Sequence, residues 1–101
     1  MGDRELAAEV AVAFLADAPL TFANLSAAIG SGDPEAAGKF AHKLKGSSAN
    51  MGGEKLGGIA ARMQAAGTEG DLGRLSELLP SAEASFRSLL AGLKSEFNLP
   101  G

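Results

Sequence analysis

His42 is the only histidine in this 101-residue chain, and its neighbours are of types that suit phosphoryl chemistry. A neutral imidazole nitrogen is a good nucleophile near pH 7 and a good leaving group once phosphorylated. Lys45, three positions on, carries an ammonium group that can neutralise phosphoryl oxygens in the loaded residue and during transfer. Gly46, four positions on, has no side chain to block an incoming active site, and Ser47 adds a hydroxyl donor. A lone histidine on a helix surface is usually just solvated, and a nearby lysine or glycine is ordinary. Only the combination is distinctive.

The elements that must position these residues are helical. Leu6, Val10, Ala13 and Phe14 recur at spacings of three and four, which predicts a first helix closed by Pro19, with Asp17 off its stripe. Phe22, Leu25 and Ile29 predict a short second helix ended by Gly30-Ser31-Gly32. Asp33-Pro34 reads as N-cap and first helical residue of a third, running through Phe40 and Leu44 to about Met51, with Gly52-Gly53 as its stop. A fourth places Leu56, Ile59, Met63 and Ala66 on one stripe and ends within Gly67–Gly70. Asp71 caps the last series, Leu72, Leu75, Leu79, Ala82, Phe86, Leu89, Leu93 and Phe97, the seam of an antiparallel bundle. Pro80 predicts a kink or a restart within it. No alternating β-branched run competes.

On a helical wheel of the third helix, Ala37, Phe40, Ala41, Leu44, Ser48 and Met51 form the inward stripe. His42 lies nearly opposite Phe40, on a face shared with Gly38, Lys39, Lys45, Gly46 and Ala49. Gly38, Gly46, Gly57 and Gly58 fall inside helical patterns, each costing roughly 1 kcal/mol against alanine. Something must compensate.

Composition removes other classes. The net charge is −3 with no basic block, so the clustered cations that neutralise nucleic-acid phosphates are missing. With no cysteine and one histidine there is neither a disulfide framework nor a thiolate or imidazole-rich metal site. Without tryptophan or tyrosine, no stacking platform for bases or sugars is expected. Asp3, Arg4, Glu5 and Glu9 break the basic-then-apolar order of a signal peptide. The uncharged stretch Ala18–Gly32 is too short to span a bilayer, and the expectation is a cytoplasmic domain. No Walker-type phosphate loop is present.

The run Ala41-His42-Lys43-Leu44-Lys45-Gly46-Ser47-Ser48-Ala49-Asn50-Met51-Gly52 resembles the signature of the histidine-containing phosphotransfer (HPt) family. That signature reads His-x-Leu-Lys-Gly-Ser/Ala, with a glycine ten positions after the histidine. Leu56 matches its apolar position in the next helix, and Gln64 falls where the family carries Glu or Gln. The resemblance covers nearly the whole of residues 1–101, read as one domain, either free-standing or a module of a hybrid sensor kinase. It implies an all-α fold, an antiparallel four-helix bundle with an additional short N-terminal helix.

The resemblance also implies a function. His42 would accept a phosphoryl group from a receiver-domain aspartate of a response regulator and pass it to another receiver. The chain would then be a monomeric relay carrier, not an enzyme, without nucleic-acid or membrane contacts. It would need no cofactor of its own, the divalent metal, such as magnesium, being supplied by the receiver. Lys45 would stabilise phosphoryl charge, and Gln64 would reach imidazole Nδ1 and leave Nε2 to react. Lys43, Gly46, Ser47 and Ala49 would face the partner. Lys55 and Arg62 could lie near the site but read as solvated helix surface. Two other readings stand beside it: an interaction bundle in which His42 carries no phosphate, and a histidine-kinase dimerisation and phosphoacceptor hairpin. The second family follows its histidine with an acidic residue, whereas Lys43 follows His42.

Overall fold

A computed structural model describes residues 2–99. These form four helices and no strand: α1 (Asp3–Gly30), α2 (Pro34–Ala49), α3 (Glu54–Thr68) and α4 (Leu72–Glu96). Connections of three or four residues leave consecutive helices no choice but to pack antiparallel. Each helix lies on its neighbours in sequence, and α4 returns to α1. The turns reverse through Gly32, Gly52 and Gly70, whose φ angles of 76°, 72° and 71° suit a residue without Cβ.

Local signals set most boundaries. The Asp33 carboxylate accepts a hydrogen bond from the Ala36 amide at 3.1 Å, with Pro34 in the first turn. Asp71 does the same for the Arg74 amide at 3.0 Å. Each cap satisfies an amide that the helix leaves open. The predicted stripes of α3 and α4 are the faces that enter the core: Leu56, Ile59, Met63 and Ala66 are buried, as are Leu75, Ala82, Phe86 and Leu93. α4 runs unbroken through Pro80, whose ring lies exposed on the solvent side.

The first helix departs from expectation. Pro19 does not close it: α1 continues for 28 residues, so the short N-terminal helix is fused to the one that follows. An interior proline costs about 3 kcal/mol, whereas burying a Phe or Leu contributes about 1.5–3 kcal/mol. Phe14 before Pro19, and Phe22 and Leu25 after it, are all buried on the same core, and together they outweigh the break. Phe86 of α4 joins them, stacked on Phe22 with ring centroids 4.8 Å apart and edge-on to Phe14 at 6.3 Å.

Continuity also fixes the phase of the first half. The inward series is Ala11, Phe14, Ala18, Thr21, Phe22, Leu25 and Ala28. The predicted stripe of Leu6, Val10 and Ala13 is therefore turned outward, with Leu6 63% and Val10 40% exposed. By length and composition α1 could cross a bilayer, but the buried Phe14, Phe22 and Leu25 here seat it on the bundle. At its start the Arg4 guanidinium donates to the Glu96 carbonyl at 2.6 Å and lies 5.1 Å from the Phe97 ring centroid, tying the two ends together.

The glycine question has two answers. Gly38 and Gly67 are buried against each other where α2 crosses α3. A Cβ on Gly67 would sit 2.6 Å from Gly38 Cα and 2.7 Å from the Pro34 carbonyl oxygen, both backbone atoms. Gly38 is thus a packing residue and not, as the wheel suggested, part of the open face. Gly46 and Gly58, in contrast, have nothing within 4 Å of a added Cβ. Gly67→Ala is expected to destabilise the fold by about 1–3 kcal/mol, since overpacking exceeds the gain in helix propensity. Gly58→Ala should stabilise it by up to about 1 kcal/mol. Urea denaturation midpoints check both; a Gly67→Ala protein as stable as wild type would show that the helices separate easily there.

Candidate functional site

His42 sits near the middle of α2 with its side chain exposed, while Ala41 and Leu44 on either side of it are fully buried. The two buried neighbours lock the helix phase, so the imidazole cannot turn inward. Its ring opens onto a groove of about 710 Å³ between α2 and the C-terminal end of α3. Pro34, Glu35, Gly38 and Lys39 line the α2 wall with His42, and Gln64, Gly67 and Thr68 line the facing wall. The close approach of Gly38 and Gly67 forms the floor and draws α3 near enough for Gln64 to share the groove with His42.

The predicted residues divide into three groups. Gln64 is half-buried and lines the same groove as His42, although no hydrogen bond joins the two side chains among the described residues. Lys45 is half-buried on the other flank of His42, about 60° round the helix. Among the described residues it has no ion-pair partner, the salt bridges there being Lys39–Glu35 and Arg87–Glu83. Gly46 and Ala49 are exposed on the turns that follow His42, with open space over Gly46.

Lys43 and Ser47 belong to a different depression. They line a second groove, between α1 and α2, with Val10, Ala13, Phe14, Asp17 and Asn50. The Ser47 hydroxyl is occupied within its own helix, donating to the Lys43 carbonyl at 3.1 Å and lying 3.2 Å from that of Leu44. Lys55 and Arg62 are exposed along α3 and line the groove toward α4, away from His42.

Sequence reasoning placed Lys39 on the face of His42 without giving it a role, and passed over Glu35 and Thr68 as lining residues. Lys39 was legible, since it precedes His42 by three positions on the same face. Thr68 and the Gly67 floor were not, because nothing local says which turn of α3 faces α2. Among the described residues there is no group of three or more His, Cys, Asp or Glu side chains placed to hold a metal ion.

A comparison with protein-family models matches residues 9–96 to the family described as Hpt domain. No curated protein and no solved structure matches the chain.

Proposed function

Because the chain belongs to the Hpt domain family, a family of phosphorelay carriers and not of enzymes, we propose that His42 is its phosphoacceptor, loaded by one receiver domain and unloaded by another. The observation that carries this reading is an exposed imidazole at the motif histidine, held outward by two buried neighbours and open to a groove shared with Gln64.

In the proposed step, the Nε2 lone pair attacks the phosphorus of a receiver aspartyl phosphate in line. The bond from phosphorus to the aspartyl oxygen breaks, the carboxylate is restored, and the proton stays on Nδ1. Charge spreads over the three equatorial oxygens of a loose transition state. Lys45 approaches them from one flank of His42, and a divalent metal held by the receiver would supply the remaining positive charge. Gln64 lines the facing wall of the same groove, and in this reading its amide engages Nδ1 and fixes the reactive tautomer.

The receiver would cover His42, Gly46 and Ala49 and extend over Lys43 to the α1–α2 groove. There the exposed Val10 of α1 offers apolar contact beside Lys43, a cation suited to an acidic active-site rim. A phosphorelay setting of this kind is cytoplasmic. Incubation with a panel of phosphorylated receiver domains should move label onto this chain from at least one of them, and back on addition of unphosphorylated receiver. Failure with every receiver of the source genome, by a folded protein, would favour the interaction-bundle reading.

A further inference from the structure

The groove beside His42 is poor in positive charge. Glu35, Glu69 and the C-terminal end of α3 line it, and Lys39 is the one lysine or arginine among its lining residues. A phosphoryl group on Nε2 would bring close to two further negative charges to that wall. We propose that Lys39 is a second counter-ion of the phosphohistidine, held in reserve by Glu35 and handed to the phosphoryl oxygens when His42 is loaded. This deepens the phosphoacceptor assignment and rests on it.

Three features support the handover. Side chains on a helix lean toward its N-terminus, so the His42 ring overlies the turn that carries Gly38 and Lys39. Gly38 puts no side chain between them. In the unloaded protein the Lys39 ammonium lies 3.6 Å from a Glu35 carboxylate oxygen, and the two side chains are 77% and 84% exposed. An exposed pair of this kind is weak and exchanges readily. A phosphoryl dianion carries more charge than a carboxylate and offers three acceptor oxygens, so it is the stronger partner. Lys39 and Lys45, three positions to either side of His42, then bracket the phosphoryl group from opposite flanks. Lys45 provides charge away from the groove, and Lys39 provides it on the acidic side.

The test loads His42 chemically, without any receiver, using phosphoramidate. Nε2 bonds to phosphorus as the phosphorus–nitrogen bond of the reagent breaks and ammonia leaves. In the decay that follows, water oxygen bonds to phosphorus, the Nε2–P bond breaks, and phosphate departs with the imidazole restored. A cation on the phosphoryl oxygens stabilises the loaded state. Lys39→Gln should therefore shorten the phosphohistidine half-life at low salt by about two- to fivefold, Lys39→Arg should restore it, and Glu35→Gln should lengthen it. The difference should shrink as added salt screens the charges. In wild type, loading should also shift the NMR signal of the Lys39 side-chain ammonium, which a merely structural lysine would not show. Equal half-lives in wild type and Lys39→Gln, with that signal unmoved, overturn the proposal while leaving His42 as acceptor. If wild type takes up no phosphoryl group on His42, the acceptor assignment falls, and this proposal with it.

Discussion

His42→Gln, mixed with a phosphorylated receiver that loads the wild-type protein, should take up no acid-labile, alkali-stable phosphate. The expected loss is complete because the chain holds no other imidazole. A phosphoryl group on nitrogen is labile in acid and stable in alkali, whereas serine and threonine esters behave the other way, so the chemistry of the label identifies the acceptor. The fold should be nearly unaffected. His42 is exposed, takes part in no hydrogen bond or ion pair among the described residues, and lies on a helix whose phase is held by Ala41 and Leu44. Surface substitutions of this sort change stability by no more than about 0.5 kcal/mol. Circular dichroism and a denaturation midpoint establish that the variant is folded. Label that survives in it would move the acceptor to Ser47, Thr68 or a carboxylate near the groove, and the relay reading would be lost.

The second large effect is at Gly46, where function and stability should move in opposite directions. Nothing lies within 4 Å of a Cβ placed there, so the protein's own packing does not require glycine. Gly46→Gln should stabilise α2 by up to about 1 kcal/mol through helix propensity alone. The new side chain would project one turn after His42, on the face that the proposed receiver would cover. In-line attack tolerates little displacement, and misplacement by about 1 Å can slow a reaction by about 100-fold. Transfer from a phosphorylated receiver should fall by about that factor, while slow loading by phosphoramidate, a small reagent, should stay close to wild type. Stopped-flow transfer and denaturation measured on the same preparation decide it. A variant less stable than wild type yet equally fast would mean that the glycine serves the helix and not the partner.

The contrast between Gly46 and Gly67 shows how much of the site was legible beforehand. Both glycines lie in helical patterns, and the chain's other glycines look much like them. Gly46 could be assigned to the open face, because Phe40, Leu44 and Ser48 define the opposite one. Gly67 reads as the start of a terminating run, yet α3 extends one residue past it, and its missing side chain lets α2 approach. A glycine gives no hydropathy signal, so its packing partner is invisible until the helices are assembled.

α2, α3 and α4 were determined by the sequence itself, because their signals are local: aspartate caps, glycine turns, and apolar residues at spacings of three and four. The outward position of His42 follows from the same pattern. The tertiary structure decided the rest. α1 passes through Pro19 because Phe14, Phe22 and Leu25 are buried on one core, a sum over three distant contacts that no window around the proline contains. That continuity turned Leu6 and Val10 outward beside the α1–α2 groove. The pairing of Gly38 with Gly67 set which turn of α3 faces His42, and so brought Gln64 into one groove with it. Periodicity tells a helix which face to bury, but only the packed neighbour sets the height and distance at which that face is met.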